Sequence, residues 1–389
     1  TGGGDATGGG DATGGGDATG GGSAVDGGFD AGVVEVCVAV DGGCEAFLCP
    51  ELDWRSTRTS RNTIVSPGIQ ATSRENILVY ASFQVGGGGN NYSHFEYRFL
   101  NGNPTPIEVP RTLQTTNSTE ARQVRGVDLD EDYWLSYRLC TAHFYRGVST
   151  RHCYGTALDG GRSDPWNIAV YPVSADEAWV VGYPMAIHHW RRLSDGGTGL
   201  YETVDPTQWT QGSMYLNDVY VTPAGEVYAV GGNYASGSAT GYIFRPDGTV
   251  VDSPFVEDSY YGDGFYSVDG TGAQVYVLAR DDDMGHGVIL SRNPDAGGFS
   301  TTYTASTRLA QLDVTPQGEL FAVGQAPGVL VYFDGGEWSE IELPTSALRS
   351  NIRWEGVKAT CDGLFLSGYE FQPDGGRAAV VNSYRRHGQ

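Results

Sequence analysis

The loop ARDDDMGHG sets Asp281, Asp282, Asp283 and His286 close together. Three carboxylates and an imidazole could hold a hard cation such as Ca2+, although calcium loops alternate their ligands rather than stack them. A solvated acidic turn is the plainer reading. Two other loops set aromatic rings beside polar groups: DSYYGDGFY offers Tyr260, Tyr261 and Asp263, and GGNYASGSATG offers Asn233 and Tyr234, with Tyr183 in VVGYP a further ring. Sugar C–H groups stack on such rings while acids accept hydroxyl hydrogens, so the pattern suits carbohydrate or peptide. No catalytic residue is assigned, because GxSxG, HExxH and CxxC are all absent from the sequence. The single lysine, Lys358, excludes a Walker A loop and leaves one Schiff-base candidate. His188 and His189 fall on a run that reads as a strand, where neighbours face opposite sides, so packing is their expected role.

Composition narrows the partners. Asp and Glu number 47 against 24 Lys and Arg, a formal charge of −23, and there is no basic stripe of the kind nucleic acid requires. No run of 18 apolar residues occurs, so no helix of membrane-spanning length is expected. The six cysteines, Cys37, Cys44, Cys49, Cys140, Cys153 and Cys361, form no CxxC pair and read as disulfides of an oxidising compartment. Cys140 and Cys153 are symmetric about Arg146-Gly147, as a cross-strand bridge on a hairpin turning there requires.

The elements that position these loops announce themselves by repetition. Five mostly apolar residues, the second aromatic, follow a Gly or acidic turn: AWVVG, VYAVG, VYVLA, LFAVG and LFLSG. Their aromatics, with Trp134 upstream, are Trp134, Trp179, Tyr228, Tyr276, Phe321 and Phe365, at steps of 44 to 49 residues. A degenerate first copy, ILVYAS, precedes them. Within a copy, LAQLDVTP, ELFAVG, VLVYF and WSEIELP read as strands a to d separated by turn signals. A period of 40 to 50 residues with several strands per unit predicts an all-β, seven-bladed β-propeller, with six or eight blades as alternatives. The last copy lacks its fourth strand, which DWRSTRTS or RNTIVSP would supply from the N-terminal side. Cys361 falls in the a–b turn of that copy and is expected to bond one of Cys37, Cys44 and Cys49, the other two pairing together.

SADEAWVVG with AIHHWRR, and ELFAVG with VLVYFDGGEWSEIELP, resemble the tandem repeats of bacterial kelch-like and WD-repeat-like propellers. The DGG punctuation and the opening TGGGDATGGGDATGGGDATGGGSA are similar to Gly/Asp-tethered surface lipoproteins of myxobacteria and their relatives. That resemblance implies a lipid anchor upstream of residue 1 and an extracellular or outer-surface location on a bacterial envelope. Residues 1–32 read as a flexible tether with an r.m.s. span of about 30 Å, open to O-glycosylation at Thr1, Thr7, Thr13 and Thr19. Residues 33–52 read as a Cys-rich segment stapled to the propeller, and 53–389 as the propeller itself. The expected function is a non-catalytic binding or assembly module for protein or carbohydrate that requires no cofactor, with Ca2+ the one ion to test for. Two alternatives stand beside it: a fibre or coat subunit associating through residues 1–32, and a carbohydrate-active hydrolase or lyase using acids at the propeller mouth.

Overall fold

The computed structural model describes residues 38–40, 46–60, 64–84, 92–111, 121–129, 132–137, 140–153, 166–183, 186–192, 200–203, 214–233, 238–244, 250–252, 264–281, 285–292, 298–324, 329–343 and 351–387. Every regular element among them is a strand. Six sheets of four antiparallel strands follow one another at residues 64–111, 121–153, 166–203, 214–252, 265–304 and 309–342. The seventh combines 352–387 with Val38–Val40 and Ala46–Ser60. The first strand of each sheet packs on the first strand of the next, and that of the seventh on that of the first. The sheets are therefore blades of a closed β-propeller, numbered here 1 to 7, with strands a to d from the channel outwards.

Apolar residues occupy both faces of strand b because each blade is covered by a neighbour on either side. In blade 3, Ala178, Trp179, Val180 and Val181 are all at most 2 % exposed. Seven apolar clusters result, one in each gap between adjacent blades. His188 and His189 serve this packing, as expected. The His189 ring stacks at 4.0 Å on Trp179 and its Nε2 lies 2.7 Å from Glu177, while His188 is buried beside Val180, its register partner, with its pKa pushed down to about 4 by burial.

The ring closes with the strand Ala46–Ser60, which pairs with Arg377–His387 from Phe47↔His387 to Ser60↔Arg377. DWRSTRTS supplies the missing fourth strand, while RNTIVSP leads into strand a of blade 1, Ile64–Ser73. The closing strand also reaches blade 1: Trp54 packs tilted against Tyr97 at 4.6 Å and edge-on against Phe99 at 5.5 Å, and the Ser56 hydroxyl lies 3.1 Å from that of Tyr97.

The glycine ending four of the five recurring phrases has a specific cause. Strand a of every blade carries a register shift at the same place, and Gly182, Gly231, Gly324 and Gly368 of strand b stand opposite it. The bulge drives the strand-a carbonyl inward: a Cβ on Gly231 would sit 1.8 Å from the Tyr215 oxygen, and one on Gly368 2.2 Å from that of Arg353. Gly368→Ala should therefore cost about 3 kcal/mol, read as a lower urea midpoint at unchanged slope. Gly298→Ala, with nothing within 4 Å of its Cβ, should stay within about 0.5 kcal/mol.

Two cysteine expectations separate here. Cys140 and Cys153 are direct register partners in the hairpin whose turn residues Arg146 and Gly147 have φ of 50° and 77°. Cys361 does lie in the a–b turn of the last blade, but its thiol is free and exposed, which corrects the pairing expected for it. Cys49 and Gly363 face Arg385 from opposite sides, two strand spacings or roughly 9.6 Å apart. The intervening strand puts Cys49 beyond disulfide reach of that turn. Cys37 and Cys44 lie outside the described residues.

Candidate functional site in the channel wall

Each strand a is the inner edge of its sheet, so its channel-side N–H groups have no ladder partner. The preceding blade supplies acceptors by one rule. Gln123 Oε1 accepts from Val170 N–H at 2.8 Å, Asp218 Oδ2 from Val268 at 3.0 Å, Asp269 Oδ2 from Val314 at 3.0 Å, Gln311 Oε1 from Val357 at 3.1 Å and Asp313 Oδ2 from Ala359 at 2.8 Å. Every acceptor bonds the N–H one residue past its own equivalent in the next blade.

Register aligns these side chains in two rings. One ring stands opposite the recurring aromatics: Arg125, Tyr171, Tyr220, Asp269, Asp313 and Lys358 face Trp134, Trp179, Tyr228, Tyr276, Phe321 and Phe365, and Gln70 of blade 1 faces Leu78. Two residues earlier lies the second ring, in which Asp218 is the hub. Its Oδ1 accepts from Gln123 Nε2 at 3.0 Å and Arg125 Nη2 at 3.3 Å, and its Oδ2 from the Ser267 hydroxyl at 3.0 Å.

Contacts run around the first ring from blade to blade. The Arg125 guanidinium is 5.2 Å from the Tyr171 ring centre, and Tyr171 meets Tyr220 edge-on at 5.4 Å. Tyr220 packs on Gly270, where a Cβ would be 3.1 Å from its ring. Across the ring Lys358 Nζ bonds Asp313 Oδ1 at 2.6 Å. Arg125 and Lys358 are thus committed to Asp218 and Asp313, and the third carboxylate, Asp269, has no cation bonded to it among the described residues.

The electrostatics follow from that imbalance. Asp269 is 8 % exposed, and its pKa is pushed up to about 7 by burial and then by the charge of Asp313, against the pull of Arg125, Lys358 and the Val314 N–H. Burial, then Asp269, pushes the Tyr171 phenol up to about 12, and burial, Tyr171 and Asp269 raise that of Tyr220. Burial works against the charge of Arg125, but Asp218, Asp269 and Asp313 outweigh it and raise its pKa.

The residues singled out in the sequence lie elsewhere. Tyr183 and Asn233 end strand b of blades 3 and 4, and Asp281 ends that of blade 5 directly opposite His286. All four therefore stand at the b–c end of the ring, whereas Asp269, Asp313 and Lys358 lie near the a–b turns. Tyr234, Tyr260, Tyr261, Asp263, Asp282, Asp283 and Thr1, Thr7, Thr13 and Thr19 lie outside the described residues. Among the described residues no three His, Cys, Asp or Glu side chains are grouped to hold a metal ion. The channel ring was within reach of sequence reading. A polar or charged residue recurs seven to nine positions before each aromatic, as in SVDGTG, QLDVTP and GVKATC.

No protein-family model and no curated protein matches the sequence. Solved structures do match the fold. A catalytically inactive virginiamycin B lyase from Staphylococcus aureus with quinupristin is similar at 10 % identity and TM-score 0.56, over 85 % of this chain and 97 % of that one. YCF48 bound to D1 peptide is similar at 15 % and 0.55, over 90 % and 99 %, and the Cps50 (Swd1) β-propeller domain of Myceliophteria thermophila at 8 % and 0.51, over 84 % and 99 %. At these identities the likeness concerns the propeller fold alone.

Proposed function

We propose that this protein is a binding or assembly module, held at the outer surface of a bacterial envelope by residues 1–32 and a lipid anchor upstream, and presenting its propeller to a protein or carbohydrate. The carrying observation is that the channel-wall acids and amides cap inner-edge N–H groups of the next blade, an arrangement that makes a rigid scaffold. Among similar folds, one structure holds the D1 peptide, in keeping with a protein or peptide partner. The resemblance to kelch-like and WD-repeat-like surface lipoproteins belongs to this reading, as does a Cys140–Cys153 disulfide, for which the two residues stand opposite each other. Assembly would use residues 1–32 and be read by light scattering of the full chain against one starting at Val33.

The test is retention of the full chain on peptide and polysaccharide arrays, with each retained ligand assayed for cleavage. Retention without turnover is the expected result. Turnover that disappears on substituting channel acids would replace this reading with a hydrolase or lyase.

A further inference from the structure

Resting on that reading, we infer that the channel wall of blades 3 to 5 is a receptor for one primary ammonium group, the side chain of a lysine on a partner protein, which bonds Asp269 on the arc of the ring that carries Tyr171 and Tyr220. Three observations converge on it. The two rings hold three carboxylates and two cations, and both cations are bonded to the other two carboxylates. Asp269 is left with one oxygen on the Val314 N–H and the other, Oδ1, without a hydrogen bond among the described residues. Among the described residues neither the hydroxyl of Tyr220 nor that of Tyr171 forms a hydrogen bond.

The chemistry of these acceptors selects the ligand. An ammonium is a compact charge with three donors, which one carboxylate oxygen and two phenol oxygens can accept, and the phenol rings attract it further. A guanidinium is held best by both oxygens of one carboxylate, and Asp269 Oδ2 is already engaged by Val314. The counter-charge would also relieve the repulsion between Asp269 and Asp313. A formal charge of −23 draws basic segments toward the chain.

The experiment is calorimetric titration of the full chain with a doubly blocked glycyl-lysyl-glycine peptide, the same peptide acetylated on its lysine, and n-butylammonium at matched ionic strength. Saturable binding of the lysine peptide is expected, tighter than that of butylammonium and at least tenfold tighter than that of the acetylated form. It should strengthen as pH rises through about 7, where Asp269, faced by Asp313, Arg125, Lys358, Tyr171 and Tyr220, gains its charge. Asp269→Asn should weaken it at least tenfold, and Tyr220→Phe, which removes an unbonded hydroxyl, severalfold with unchanged melting temperature. No saturable binding, equal binding of the acetylated peptide, or full affinity in Asp269→Asn overturns the inference. Equal affinity for butylammonium overturns the protein partner. Each of these leaves the array result standing, so the failure of this site is distinct from failure of the broader reading.

Discussion

A chain starting at Asn62 is expected to lose its cooperative unfolding transition and to aggregate. Without Ala46–Ser60 the strand Arg377–His387 becomes an open edge, with its row of N–H and C=O groups free to template pairing with another copy. The closing strand also joins blade 7 to blade 1, where Leu52 and Trp54 cover the shared apolar cluster. Arg55 bonds Glu370, 2.6 Å from Nε, and Arg58 is ion-paired with Glu108 of blade 1 at 2.5 Å. The exposed Arg58–Glu108 pair contributes little beside the apolar burial. Trp54→Ala should cost about 2–3 kcal/mol, somewhat under the usual cost of emptying a fully buried site because Trp54 is half-buried. Scanning calorimetry with size-exclusion chromatography reads both variants. A monomeric truncated chain with a sharp, reversible transition would show that the ring is stable open.

The sequence displayed the ring more plainly than the site because the two leave different traces. Burial between blades forces strand b to be apolar on both faces in every copy, and the bulge favours a glycine after it, so the phrase from AWVVG to LFLSG recurs under two separate constraints. Blade 5 ends the phrase in Ala279 and still carries the shift, so the glycine is favoured rather than required. The channel ring has no such uniform demand. Its positions need a side chain that suits the next blade's edge, and Gln70, Arg125, Tyr171, Asp269 and Lys358 answer with different chemistry. A search for one residue type passes over such a pattern. Reading acidic loops such as ARDDDMGHG as the richest chemistry favoured the b–c end, whereas the wall's three acids are single residues inside apolar strands. Cys49 is kept from the Cys361 turn for a topological reason, since turn position is visible in spacing but an intervening strand is not.

Asp269→Asn is expected to stabilise the fold at neutral pH while weakening ammonium binding at least tenfold. The folded-state pKa of Asp269, about 7, lies above its unfolded value near 3.8, so the native state binds the proton more tightly than the unfolded chain does. The stability that this proton supplies is complete below about pH 4, falls as pH rises from there, and is gone above about 7. The difference across that window is on the order of 2–4 kcal/mol. An asparagine keeps an acceptor for the Val314 N–H and does not ionise, so the variant should melt higher than the parent at pH 8 and nearly level with it at pH 4. Urea midpoints across that range check the sign, and a variant that is weaker at pH 8 would mean the charge itself holds the wall together. If the sign is as stated, the fold is served by the acceptor alone and the carboxylate's charge works against it. A charge that costs stability and stands in the channel wall beside two unbonded phenols then has its use in what it binds.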